Sequence, residues 1–166
     1  MNIAVYGFMG VGKTTIGRLL AERLGYNFID MDTEIEKREK TTISEIFRDQ
    51  GETRFRQLES NLIKELSQKD GLVIACGGGA IANPENAETL SKVSRMVYLT
   101  ASIEESIERT NQDNSRPLLK VENPVTVASE LYERRRPVYR RYAEFSINTT
   151  GKTADEVVEM VLEALK

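Results

Sequence analysis

The segment Gly7-Phe8-Met9-Gly10-Val11-Gly12-Lys13-Thr14 constrains this chain more than any other. It matches G-x-x-x-x-G-K-[ST] at every fixed position, and it stands where the mechanism of that motif needs it. Before it runs the short apolar stretch Ile3-Ala4-Val5-Tyr6; after it, Ile16, Leu19, Leu20 and Leu24 recur at helical spacing. Glycines let successive backbone N–H groups converge on phosphate oxygens without Cβ obstruction. The helix that begins at the end of the loop adds its partial positive charge. Lys13 supplies a point charge for the β- and γ-phosphates, and the Thr14 hydroxyl is a candidate Mg²⁺ ligand. Gly10, Val11, Gly12, Lys13, Thr14 and Thr15 form the candidate nucleotide-binding run. The competing reading is a glycine-rich turn that happens to precede Lys-Thr.

The alternation of strand and helix continues beyond this unit. Phe28-Ile29 ends at Asp30, Leu72-Val73-Ile74-Ala75 ends at Gly77-Gly78-Gly79, Met96-Val97-Tyr98-Leu99 ends near Thr100, and Phe145-Ser146-Ile147 is the last and weakest run. Short continuous apolar runs suit strands buried on both faces, so five strands of a mostly parallel sheet are expected in an α/β domain with right-handed crossovers. Gly25 stands where a helix C-cap would, and Thr42/Glu45, Ser102/Glu105 and Thr153/Glu156 carry the capping-box spacing. Ala154, Val157, Val158, Val161, Leu162 and Leu165 make the apolar stripe of a final helix. Two stretches exceed a simple crossover. Residues 31–71 look largely helical and read as an insertion; residues 111–124 are polar, hold two of the four prolines, and read as a mobile loop. The whole of 1–166 is expected to be one domain.

Composition narrows the chemistry. There is no histidine and one cysteine, Cys76. That excludes an intrachain disulfide, a structural zinc site and every mechanism that uses an imidazole base. A general base must come from Asp, Glu, Lys, Tyr or the thiol. The 23 Lys+Arg against 26 Asp+Glu leave a net charge of −3, which argues against a coat for nucleic acid or anionic membrane. No apolar run approaches the roughly 20 residues that span a bilayer. The N-terminus lacks a basic n-region, so no signal peptide is expected.

The remaining candidates lie at strand ends. Asp30 and Asp32 follow the second strand, at the sheet edge where α/β proteins bind ligands. On an extended segment carboxylates at i and i+2 share a face, so Asp30 would support the metal while Asp32 accepts a hydroxyl proton. Their alternative is a helix cap and a turn. Gly77, Gly78 and Gly79 end the third strand; backbone amides approaching a ligand would require all three, whereas a flexible loop would not. Fourteen of the basic residues are Arg, and residues 109–141 carry a local charge of +4. Arg116 in the polar loop could stabilise transition-state charge in cis. Arg140 and Arg141 read better as a solvated helix face. The same stretch, with Tyr132, Tyr139 and Tyr142, offers an RNA-binding alternative.

Together these residues resemble the shikimate kinase family, small P-loop kinases of the nucleoside-monophosphate-kinase type. The likeness runs from Gly7-Phe8-Met9-Gly10 through Thr15-Ile16-Gly17, Asp30-Met31-Asp32 and Ile43-Ser44-Glu45-Ile46-Phe47. It continues through Gly51-Glu52, Phe55-Arg56, Glu59, the glycine trio and Arg116-Pro117-Leu118-Leu119, and it closes on Arg135-Arg136-Pro137-Val138-Tyr139. The resemblance implies a three-layer P-loop fold with a five-stranded parallel sheet of order 2-3-1-4-5. Residues 31–71 become the substrate-binding helical insertion and 111–124 the lid. It implies transfer of the ATP γ-phosphate to the 3-hydroxyl of shikimate, with Mg²⁺, in aromatic amino-acid biosynthesis. By position, Asp32 would hold the substrate hydroxyls as base or orienter. Arg56 and Arg135 would grip the substrate carboxylate, helped by Gly77, Gly78 and Gly79. Arg116 would sit on the phosphates, and Arg109 and Lys152 would meet the adenine end. Its partners would be ATP and shikimate, with neither nucleic acid nor membrane, in a cytoplasmic monomer. Rival readings are a kinase for another hydroxy acid such as gluconate, an RNA-associated NTPase, and a GTP-dependent switch, which lacks an N-K-x-D motif here.

Overall fold

The computed structural model describes residues 1–8, 10–111 and 124–166. Five strands, β1 (Asn2–Gly7), β2 (Asn27–Asp30), β3 (Leu72–Ala75), β4 (Ser94–Thr100) and β5 (Phe145–Asn148), form one sheet in the order β2-β3-β1-β4-β5. All four pairings are parallel, with Ile3 opposite Val73 and Val5 opposite Val97. Each parallel step needs a crossover, and helices supply it. The central strand β1 is buried along its whole length, as a strand covered on both faces must be.

The two-residue period of the strands sorts the core into two layers. Ile3, Val5, Val97, Leu99 and Ile147 pack with α1 (Lys13–Leu24), α6 (Ile103–Asn111) and α8 (Ala154–Leu165). Ala4, Tyr6, Ile74, Met96 and Tyr98 pack with α2 (Met31–Glu39), α3 (Ile43–Leu66), α4 (Gly78–Ala82) and α5 (Pro84–Ser91). Helix α7 (Pro124–Tyr142) serves both layers: Ala128 joins the first, Tyr139 the second.

Local signals act as their chemistry dictates. Gly25 is the C-cap of α1. Thr42 and Glu45 form a reciprocal capping box at the start of α3. The Ser102 and Thr153 hydroxyls accept from the N–H groups of Glu105 and Glu156. The region 31–71 is occupied by α2 and α3, and α3 breaks at Gly51 (φ 84°, ψ 166°). The second piece of α3 carries Arg56 and Glu59 toward the sheet edge. The expected lid spans 111–124; Asn111 ends α6, Pro124 begins α7, and 112–123 lie outside the described residues. Among the described residues, no helix is long and apolar enough to cross a membrane.

Candidate active site

Because the strands are parallel, β1, β2 and β3 end on one edge of the sheet. The loop after β1 turns into α1 through Gly12, whose φ of 89° lies in the left-handed region that side chains disfavour. Lys13 folds back over that loop: its Nζ donates to the Gly7 carbonyl at 3.0 Å and to the Phe8 carbonyl at 3.5 Å. The Thr14 hydroxyl donates to Asp30 Oδ2 at 2.5 Å, and Asp30 Oδ1 accepts from the Thr33 N–H at 3.1 Å. Asp30 is thus both the N-cap of α2 and the carboxylate behind the P-loop, so the two readings of it do not compete. A cavity of about 240 Å³ opens beside the loop, lined by Val11, Gly12, Thr15, Thr149, Lys152 and Val157 among others.

A second, cationic cradle forms around the glycines that follow β3. Gly77 is the N-cap of α4, and Gly78 and Gly79 are its first residues. A Cβ on Gly77 would lie 2.9 Å from Glu59 Oε2 and 3.3 Å from Asp32 Oδ1. On Gly78 it would lie 3.0 Å from Arg135 Nη1 and 3.2 Å from the Gly7 carbonyl; on Gly79 it would run into the Arg56 guanidinium. The space around the trio leaves little room for a side chain, least of all at Gly79. The Gly7 carbonyl accepts from Lys13 and lies where a Cβ on Gly78 would meet it, so the P-loop and the cradle are neighbours there.

The charges of the cradle are set by burial. Glu59 is 1% exposed, and its Oε1 accepts from Arg56 Nη1 at 2.7 Å. Burial pushes its carboxyl up to about 7; Arg56 and Arg135 pull the other way, and Asp32 adds to the rise. Burial also works against the charge of Arg56, but Glu59 and Glu52 outweigh it and hold that guanidinium above its ordinary value. Arg135 is 7% exposed and shifts down, chiefly from burial, with Arg56 adding to the effect. Two guanidinium groups thus stand among three carboxylates, Glu52, Glu59 and Asp32, and burial disfavours Glu59 as an ion. The two planar cations at one wall suit a carboxylate ligand. Cys76 is fully buried, which pushes its thiol far up, so it belongs to the core and not to the list of bases.

A family model described as shikimate kinase matches residues 9–166. The chain belongs to the shikimate kinase family. A shikimate kinase of Hahella chejuensis is 43% identical over 99% of this chain and 86% of its own length. One from Thermodesulfovibrio yellowstonii is 44% identical over 98% of this chain and 93% of its own. The solved structure of shikimate kinase from Acinetobacter baumannii in complex with shikimate aligns with a TM-score of 0.96 at 42% identity, covering 99% of this chain and 92% of that one.

Within this shikimate kinase fold, most of the candidate residues come together. Lys13 bonds the loop carbonyls, Thr14 bonds Asp30, and Lys152 lines the cavity beside Val11, Gly12 and Thr15. Asp32, Arg56, Arg135 and Gly77 to Gly79 form the cradle. One geometric premise is corrected. Asp30 and Asp32 do not share a face of an extended segment, because α2 starts at Met31 and Asp32 sits in its first turn. The helix turns the pair apart: Asp30 faces Thr14, and Asp32 faces Gly77 and Glu59. Arg116 and the side chain of Arg109 lie outside the described residues. The sequence motifs assign Glu59 no role, although a carboxylate on the apolar stripe Phe55, Leu62, Ile63 and Leu66 signals one. Tyr139 is 0% exposed, so it offers no platform on which a base could stack.

Proposed function

We infer that the chain is an ATP-dependent shikimate kinase, transferring the γ-phosphate to the 3-hydroxyl of shikimate. The observation that carries the reading is the junction near Gly7, where a phosphate-binding loop abuts a cradle holding two guanidinium groups and, beside Gly77, the Glu59 and Asp32 carboxylates. A polyhydroxylated acid needs that combination. Arg56 and Arg135 take the substrate carboxylate with the Gly78 and Gly79 amides, and Asp32 accepts the hydrogen bond of the attacking hydroxyl. Lys13 exchanges its loop carbonyls for β- and γ-phosphate oxygens. The adenine end enters the cavity beside Lys152. Helices α2 and α3, within 31–71, then act as the substrate-binding insertion. Arg116, Arg109 and a lid over 111–124 enter this reading through the resemblance alone, as does a cytoplasmic location.

The residues fit Mg²⁺. The Thr14 hydroxyl and the Asp30 carboxylate are hard oxygen donors in direct contact, and Mg²⁺ carried on phosphates needs few protein ligands. When bound, the ion neutralises charge on the β- and γ-phosphate oxygens. The substrate hydroxyl oxygen forms a bond to the γ-phosphorus as its proton passes to the Asp32 carboxylate, the bond from the γ-phosphorus to the β–γ bridging oxygen breaks, and ADP leaves. Catalysis then rests on positioning and on charge stabilisation by this chain's cations, for which histidine is dispensable.

A coupled ADP-release assay over a panel of small hydroxy acids tests the reading. Shikimate with ATP should give the highest kcat/KM; a higher value with gluconate, or with GTP in place of ATP, would sink it.

A further inference from the structure

Beneath the cradle, Tyr139 makes contacts that the core alone would not ask for. It is 0% exposed on α7, edge-on to Tyr6 with ring centroids 5.6 Å apart and tilted against Tyr98 at 5.4 Å. Phenylalanine would fill that space as well. The hydroxyl, however, donates to the Gly78 carbonyl at 2.7 Å and accepts from Arg135, one helical turn earlier on α7. Burial pushes the phenol up to about 12, with Arg135 pulling the other way, so it is a protonated donor at neutral pH.

The geometry has a consequence for the ligand side. A trans peptide is planar, so the Gly78 carbonyl and the Gly79 N–H point in opposite directions. With the carbonyl held against buried Tyr139, the Gly79 N–H points away from that hydroxyl, and a Cβ on Gly79 would meet the Arg56 guanidinium. A hydrogen bond to the carbonyl also polarises the peptide and strengthens the N–H as a donor. The Tyr139 hydroxyl oxygen also accepts from the Arg135 guanidinium and limits where it can swing. Tyr6 in turn donates to the Tyr139 carbonyl at 2.6 Å, which fastens this end of α7 to β1 without touching the cradle.

We propose that Tyr139 is a positioning residue for the carboxylate clamp, its one hydroxyl orienting both the Gly78–Gly79 peptide and Arg135. The identity of the ligand rests on the shikimate kinase reading; the orientation of the peptide does not. The test compares Tyr139→Phe with Tyr6→Phe, each of which deletes one hydroxyl and keeps its ring. Tyr139→Phe should raise the KM for shikimate about tenfold, the cost of leaving a buried partner unmade. Its kcat and its KM for ATP should stay within about twofold, the signature of lost binding rather than lost transition-state contact. Tyr6→Phe should lower Tm with the shikimate KM unchanged. In glycine-labelled protein without ligand, the Gly79 amide proton should move upfield in Tyr139→Phe and stay in Tyr6→Phe. Unchanged KM, an equal loss of kcat, a matching KM rise in Tyr6→Phe, a static Gly79 amide, or an unfolded Tyr139→Phe would each overturn the role. If the wild-type chain ignores shikimate, the functional reading fails by itself, while the amide measurement still decides for or against the peptide's orientation.

Discussion

Replacing Glu59 with glutamine should remove a pH-dependent weakness from the fold. The carboxyl faces Arg56 on its own helix, Asp32 on α2 and Arg135 on α7, and burial lifts it from its ordinary 4.5 to about 7. A raised folded-state value means that the native protein still holds a proton that the unfolded chain has released. The contribution to stability is therefore full below about 4.5 and is lost as pH rises through about 7. Linkage over that window gives roughly 2–3 kcal/mol between pH 5 and pH 8. Glutamine keeps the size and an oxygen for Arg56 but does not titrate. Urea unfolding followed by circular dichroism at several pH values, at constant ionic strength, reads the difference between wild type and Glu59→Gln. That difference should fall by the stated amount as pH rises. Glu65, held down to about 2 by Arg38, and Asp49, lowered by Arg48, work with the opposite sign. Their stabilisation is lost only as pH drops below the ordinary carboxylate range, and both proteins share it. A flat difference from pH 5 to 8, or one that rises, would refute the argument, and with it the account of Glu59 as a carboxylate that burial disfavours.

Gly79→Ala should separate the site from the fold. The residue is helical in α4, so alanine suits its backbone, but the new Cβ displaces an Arg56 guanidinium pinned by Glu59 and Glu52. The KM for shikimate should rise at least about tenfold with Tm unchanged, on the scale of a lost charged hydrogen bond; an unchanged KM would remove Arg56 from that wall. Asp30→Asn keeps a good N-cap for α2 while halving the charge-bearing oxygens near Thr14. The Mg²⁺ concentration for half-maximal rate should rise severalfold at constant Tm, whereas a lower Tm with an unchanged Mg²⁺ profile would leave Asp30 as a cap alone.

The two halves of the site differ in how far they could be read beforehand, and the reason is sequence distance. The nucleotide half is nearly contiguous. Gly7 to Thr15 place their own amides, cation and hydroxyl, and the strand before and helix after follow from apolar spacing. The sheet order, likewise, matches the expected 2-3-1-4-5. The D-x-D pair shows where such reading fails: moving a helix start to Met31 turns two carboxylates on one face into two that face different groups, Thr14 and Gly77. The cradle is assembled across much longer separations, such as the 61 residues between Tyr139 and Gly78. Residues of that kind show in a sequence only as departures from what their element requires. Glu59 is a charge on an apolar stripe, and its ion pair with Arg56 at i−3 imitates an ordinary surface pair. Tyr139 is a tyrosine where a core helix needs only a ring. In both cases the surplus polar atom is the clue, because burial makes a carboxylate or hydroxyl costly unless a specific partner awaits it. In this chain those partners, Arg56, Arg135 and the Gly78 carbonyl, all lie at the cradle.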